Sequence, residues 1–158
     1  MSKMANSQTV HIPVKSKRVL TFINAKYAPD GFYKLSQKQT LGVFITSILV
    51  SKKKSDQVCF NQLQNSFTVK LGSYKHLDQK CFIKASAVPE FNRYVEHLMK
   101  EYFYAWMAFY ASFPKTDIKS TIENFLAIHN MPDTETDVEY FRTAYKRFKN
   151  KNIIQTDQ

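Results

Sequence analysis

The sequence predicts an α+β fold: a small antiparallel sheet, made of an edge strand plus a hairpin, packed with about five helices around one long aromatic helix. Three observations carry that prediction. Residues 88–113, VPEFNRYVEHLMKEYFYAWMAFYASF, hold no Gly and no Pro after Pro89. Val88, Phe91, Val95, Leu98, Tyr102, Trp106, Phe109 and Phe113 recur there at helical steps of three and four. Elsewhere, stretches near Ile12, Val69 and Ile83 alternate with the period of two of half-buried strands. Finally, 44% hydrophobic and 15% aromatic residues, with only 3 Gly and 5 Pro in 158 residues, supply a core and argue against disorder.

Taken in order, Val10, Ile12 and Val14 alternate with His11 and Pro13 in a strand over residues 9–14. Pro13 has no N–H for a ladder, so the strand belongs at a sheet edge. Ser16 caps a helix to about Tyr27, with Val19, Leu20, Phe22, Ile23 and Tyr27 inward. Ala28-Pro29-Asp30-Gly31 is a turn, because Pro presets φ and Gly accepts a positive one. Residues 32–35 are too short to assign. Ser36 is the expected N-cap of a helix over 37–51, with Leu41, Phe44, Ile45, Ile48 and Leu49 inward. Gly42 and the β-branched Val43, Ile45, Thr46 and Ile48 keep a strand in 43–50 as the competing reading.

A polar connection then leads to about Asn65. Phe67, Val69 and Leu71 alternate with Thr68 and Lys70, and Cys81 and Ile83 with Lys80, Phe82 and Lys84. Joined by GSYKHLD, the two stretches read as an antiparallel hairpin. Pro89 suits the first turn of the long helix, where its missing N–H is tolerated. From Tyr102 onward that helix is apolar nearly all round, which predicts burial on several sides. Asp117 caps a helix to about His129 through Ile118, Ile122, Phe125, Leu126 and Ile128. Thr136-Asp137-Val138-Glu139 reads as the capping box of a last helix with Val138, Phe141, Tyr145 and Phe148 inward, followed by a polar tail over 150–158. The expected domains are a basic core over 1–113 and a helical pair over 114–158 packed on the same core.

Charge divides the chain. Residues 1–85 hold fourteen Lys/Arg against three Asp, and residues 86–158 hold nine against ten Asp/Glu, so the whole excess of +10 lies in the first half. Such a half attracts polyanions, nucleic acid first, with an acidic protein partner as the alternative. The N-terminal charge is followed by no apolar run, and no stretch reaches about 18 uninterrupted apolar residues. Neither a secretory leader nor a membrane span is therefore expected. Cys59 and Cys81 lie outside any CxxC pattern and read as reduced thiols of a cytoplasmic protein.

Catalytic patterns are missing. His11, His76, His97 and His129 fall on different elements without metal-ligand spacing. Glu96, His97 and Glu101 share a helix face but lack a second ExxH, so no metal and no cofactor is expected. There is no GxSxG, no phosphate-cradling Gly-rich loop and no GxGxxG, and the reading is non-enzymatic.

The nucleic-acid candidates in the basic half are Lys15, Lys17, Arg18, Lys52, Lys53 and Lys54, with Lys70, Lys75, Lys80, Phe82 and Lys84 on the hairpin. Cations interleaved with an aromatic ring suit phosphate contact plus stacking or groove insertion, although edge lysines also serve against aggregation. The last two helices form a helix–turn–helix-like pair whose basic end adds Lys146, Arg147 and Lys149. Asp133, Glu135, Asp137 and Glu139 at the front of its second helix would repel phosphate. Ala105, Ala108 and Ala111, with the aromatics around them, give the long helix a second use as a homodimer interface.

The segments HIPVK, FNRYVEHLM and ENFLAIHNMPDTETDVEYFRTAYKRFK resemble a group of small basic proteins from phages and mobile elements of gut bacteria. The resemblance implies a helix–turn–helix-like C-terminal pair, binding of DNA ahead of RNA, and the cytoplasm of a bacterial host. It brings no catalytic residues.

Overall fold

A computed structural model describes residues 8–50, 65–72 and 82–156. In chain order the elements are β1 (Thr9–Pro13), α1 (Lys17–Tyr27), β2 (Tyr33–Lys34), α2 (Thr40–Ile48), β3 (Leu49–Val50), β4 (Ser66–Lys70), β5 (Phe82–Ile83), a 3-10 turn (Ala85–Ala87), α3 (Val88–Ala111), α4 (Ile118–Ile128) and α5 (Glu135–Thr156). The fold is α+β, and α3 is its long aromatic helix. Two compact units divide the chain, Met1–Val95 and Glu96–Gln158, so α3 contributes to both. This division falls inside α3, earlier than the expected boundary after residue 113, because Phe103 packs with the rings of α4 and α5. No helix among the described residues is long and apolar enough to cross a membrane.

In the first unit β4 is the middle strand of a three-stranded sheet, order β1-β4-β2. β1 runs antiparallel to β4, from Thr9 opposite Lys70 to Pro13 opposite Ser66, and Pro13 does sit on an edge strand. β2 runs parallel to β4, which makes the sheet mixed where an antiparallel one was expected. The expected hairpin is not formed either. β5 pairs with β3, Leu49 opposite Ile83 and Val50 opposite Phe82, because both edges of β4 are occupied. The connection that carries Lys75 and Lys80 lies outside the described residues.

Ser16 caps α1 by accepting from the Val19 N–H at 3.4 Å, and Val19, Phe22 and Ile23 are buried. Leu20 and Tyr27 are only half-buried. The helix reading of residues 37–51 holds from Thr40 to Ile48, and of the competing strand over 43–50 only Leu49 and Val50 are extended. Ser36 is not the N-cap. Its Oγ accepts from the Lys38 N–H and its carbonyl from Gln39, forming a turn ahead of a helix that starts at Thr40. Gly42 makes this possible, since a Cβ there would lie 1.9 Å from the Ser36 carbonyl oxygen.

Phe67 and Phe91 are fully buried and stacked at 6.3 Å, with Tyr33 against Phe67 at 5.9 Å. Asn92 in the first turns of α3 clamps the end of β1. Its Nδ2 donates to the Pro13 carbonyl at 2.9 Å, and its Oδ1 accepts from the Lys15 N–H at 2.7 Å.

In the second unit Phe103 of α3 meets Phe125 of α4 at 5.2 Å and Phe141 of α5 at 4.7 Å. Trp106 Nε1–H donates to the Thr121 carbonyl at 3.0 Å. The buried stripe of α3 runs Phe91, Val95, Met99, Phe103, Met107. The expected stripe through Tyr102, Trp106, Phe109 and Phe113 lies beside it, and Phe109 and Phe113 are 59% and 50% exposed. All-round apolarity therefore did not mean all-round burial, and α3 ends at Ala111, two residues short of the expected 113.

Asp117 caps α4 as expected, but Ile118 and Ile128 point to solvent, the latter 61% exposed. α4 ends in a Schellman motif: Asn130 takes φ 52°, and the Met131 N–H returns to the Leu126 carbonyl at 2.9 Å. The cap of α5 is Thr134 and not Thr136, since Thr134 Oγ1 accepts from the Asp137 N–H at 3.2 Å. Val138 and Phe141 are buried, Tyr145 and Phe148 half-buried, and α5 continues to Thr156, through most of the expected tail.

Candidate nucleic-acid interface

Alternation along the strands gives the three-stranded sheet two unlike faces. Val10, Ile12, Tyr33, Phe67 and Val69 enter the core. Thr9, His11, Pro13, Lys34, Ser66, Thr68 and Lys70 form the other face, all exposed or half-exposed and none of them a carboxylate.

Register decides how the cations sit on that face. Lys34 is level with Lys70 on the neighbouring strand, which separates their backbones by about 4.8 Å. Two ammonium groups so placed repel each other. Lys70 turns to the ring of Phe32, with Nζ 3.4 Å from its centroid, where the aromatic face is electron-rich. His11 Nδ1 is 3.2 Å from Thr68 Oγ1 across the β1–β4 pair, leaving Nε2 as the other polar atom of that ring.

Four residue steps away, roughly 13 Å at strand rise, the chain leaves β1 into Lys15, Lys17 and Arg18. The Asn92 clamp fixes the backbone there. Lys17 and Arg18 occupy the first turn of α1, which holds no acidic residue. Their charge adds to the positive end of the helix dipole, so the local field strongly favours an anion. A cleft of about 240 Å³ shares Phe32 and Lys34 with the sheet face and is lined also by Lys26, Tyr27, Asp30 and Gln39.

The second unit holds the ion pairs Lys100–Glu96, Lys119–Glu123 and Arg142–Glu139, and His97 Nε2 lies 3.7 Å from Glu101. The hydrogen bond from Lys100 to Glu96, at 2.8 Å, raises the lysine above its ordinary pKa against a smaller opposing effect of burial. The backbone and hydroxyl of Ser120 hold Asp117 below the usual aspartate value.

Of the residues expected from sequence, the structure brings Lys70 onto the sheet face and Lys15, Lys17 and the half-buried Arg18 to its end. Phe82 and Lys84 are exposed but belong to the β3–β5 pair and its exit. Lys52, Lys53, Lys54, Lys75 and Lys80 lie outside the described residues. Lys146, Arg147 and Lys149 are exposed on α5 in the second unit, Lys149 with its Nζ 5.7 Å from the Tyr145 ring. Sequence reasoning missed Lys34 and Phe32. The alternation Tyr33 in, Lys34 out, Leu35 in was present, but two residues of strand are too few for a period to declare itself.

Among the described residues no group of three or more His, Cys, Asp or Glu side chains is placed to hold a metal ion. No family model, curated protein or solved structure matches the chain.

Proposed function

We propose that the protein binds nucleic acid, without catalysing a reaction on it, through the outer face of the three-stranded sheet and the adjoining start of α1. The observation that carries this reading is the pairing of Lys34 with Lys70 on a face whose strands supply no carboxylate. Phosphate oxygens would relieve the repulsion between these lysines, and Lys15 and Lys17 extend the contact along the backbone. Phe32 and the small cleft offer a surface for a base. DNA is the first ligand to test. The setting of a phage or mobile element in a bacterial cytoplasm, implied by the resemblance, belongs to the same reading.

Titration of labelled duplex DNA, single-stranded DNA and RNA from about 50 to 200 mM salt tests it. Four phosphate contacts predict a slope of log K against log salt near about −3.6 on duplex DNA. No binding at low salt, or binding indifferent to salt, contradicts it.

A second reading, an assembly factor that meets another protein without touching nucleic acid, is favoured by the exposed Phe109, Phe113 and Ile118 in the second unit. Failure to bind any nucleic acid at low salt, with capture of a protein partner that Phe109→Ser and Phe113→Ser abolish, would select it.

A further inference from the structure

The second unit contains an open groove of about 1160 Å³ between the middle of α3 and α5. Its aromatic wall includes Tyr104, stacked on Phe148 at 4.2 Å, and Tyr140, whose hydroxyl reaches Glu96 at 3.4 Å. Ala144 leaves the middle of the α5 rim low. Charge is graded along that rim: Glu135 and Glu139 line its start, Arg147 and Lys151 its end. On the α3 wall, His97, Lys100 and Glu101 are mixed in sign.

We infer that a second copy of this chain occupies the groove, with the two α5 helices antiparallel about a two-fold axis at Thr143. In that register Glu139 of one copy is level with Arg147 of the other, and Glu135 with Lys151. Symmetry repeats each pair. Thr136 is then level with Asn150, and Thr143 and Ala144 allow the helices to approach closely at the axis. A shift of one helical turn in either direction leaves a single kind of unlike-charge pair, Glu139 with Lys151 or Glu135 with Arg147. A parallel arrangement sets carboxylate against carboxylate and cation against cation. The grading of charge therefore selects both direction and register, the part charges play best in helix pairing.

Two further features fit a second copy. The second unit holds eight Lys/Arg against nine Asp/Glu, so it does not repel itself, whereas the first unit holds fifteen against four. Glu139 already has a partner, Arg142 at 3.0 Å, but that pair is exposed on both sides and gives way readily to a better-placed guanidinium. Burial of Tyr104, Tyr140 and Phe148 supplies the affinity, and the ion pairs fix the register.

Sedimentation equilibrium of the full chain tests the inference, with circular dichroism as the folding control. The wild type is expected to be a concentration-dependent dimer. E135K/E139K and R147E/K151E each put like charges level and should weaken self-association by about tenfold or more. Mixing the two variants should restore a heterodimer, because each supplies the charge the other now needs. If E135K/E139K fails to fold, having lost the acidic start of α5, R147E/K151E against the neutral R147Q/K151Q carries the comparison, the reversal weakening self-association more than the neutral pair. A monomeric wild type at every concentration overturns the inference, as does a dimer that both reversals leave intact. Nucleic-acid binding is read on the other unit, so either proposal can fail without the other.

Discussion

In the first unit Lys34 and Lys70 stand side by side on a sheet face without a strand carboxylate, whereas in the second unit Lys100, Lys119 and Arg142 lie 2.8, 3.5 and 3.0 Å from a glutamate one helical turn away. Secondary structure explains part of this contrast. A helix brings residues i and i+4 together, so a Glu and a Lys written at that spacing neutralise each other locally. A sheet face collects its residues from distant parts of the chain, and like charges meet there only because the core side of the same strands has fixed the register. The first unit sets Lys34 level with Lys70, whereas the second gives Lys100, Lys119 and Arg142 a glutamate each. Net charge, fifteen Lys/Arg against four Asp/Glu in the first unit and eight against nine in the second, points the same way, which is why the sheet face and not α5 is the stronger candidate for a polyanion.

Each unit has its own buried rings, and the largest expected effects test that. Phe67→Ala in the first unit and Phe103→Ala in the second should each cost about 3–5 kcal/mol in urea unfolding, the usual range for a fully buried ring. Losses below about 1 kcal/mol would mean that the rings are peripheral and the two cores wrongly assigned. Next in size is Gly42→Ala, expected to cost about 1–3 kcal/mol by overpacking. The added Cβ would meet backbone, the Ser36 carbonyl, which has little freedom to move aside. A neutral result would break the account of why α2 starts at Thr40.

Smaller effects sharpen the second unit. Thr134→Ala should cost about 1 kcal/mol and Thr136→Ala close to nothing, the reverse of what the sequence spacing alone suggests. Smallest is a pH effect at the start of α4. Because Ser120 lowers the Asp117 pKa, the cap contributes stability above the ordinary aspartate value near about 4 and loses it as pH falls through the lowered one. Asp117→Asn should flatten that acid limb of the stability curve, and an unchanged limb would place its source elsewhere.

How much of this was readable in the sequence depends on range. Ser16 with Val19, Phe22 and Ile23, and Asp117 with Ile122, Phe125 and Leu126, were legible because a helix and its cap are written within a dozen residues. The partner of a strand is not. The stretch near Val69 alternated as expected, as did Phe82, Ile83 and Lys84, but nothing local says that β4 takes β1 and β2 while β5 takes β3. Thr134 and Thr136 both stand before acidic residues, and only the hydrogen bond to the Asp137 N–H separates them. Lys70 was legible as outward-facing, while its neighbour Lys34 needed the parallel pairing of β2 to become visible. The aromatic run after Tyr102 misled for a different reason: hydrophobic residues do occupy surfaces, and α3 leaves Phe109 and Phe113 there.

The most direct test of the central claim compares two sets of charge reversals for binding to one duplex DNA across salt. K34E/K70E in the sheet should lower affinity steeply and flatten the salt slope by about 0.9 for each phosphate left without its cation. K146E/K149E in α5, two exposed lysines that do not line the groove of the second unit, should leave both nearly unchanged. The opposite pattern, with binding abolished by the α5 reversals and kept by the sheet variant, would contradict the account.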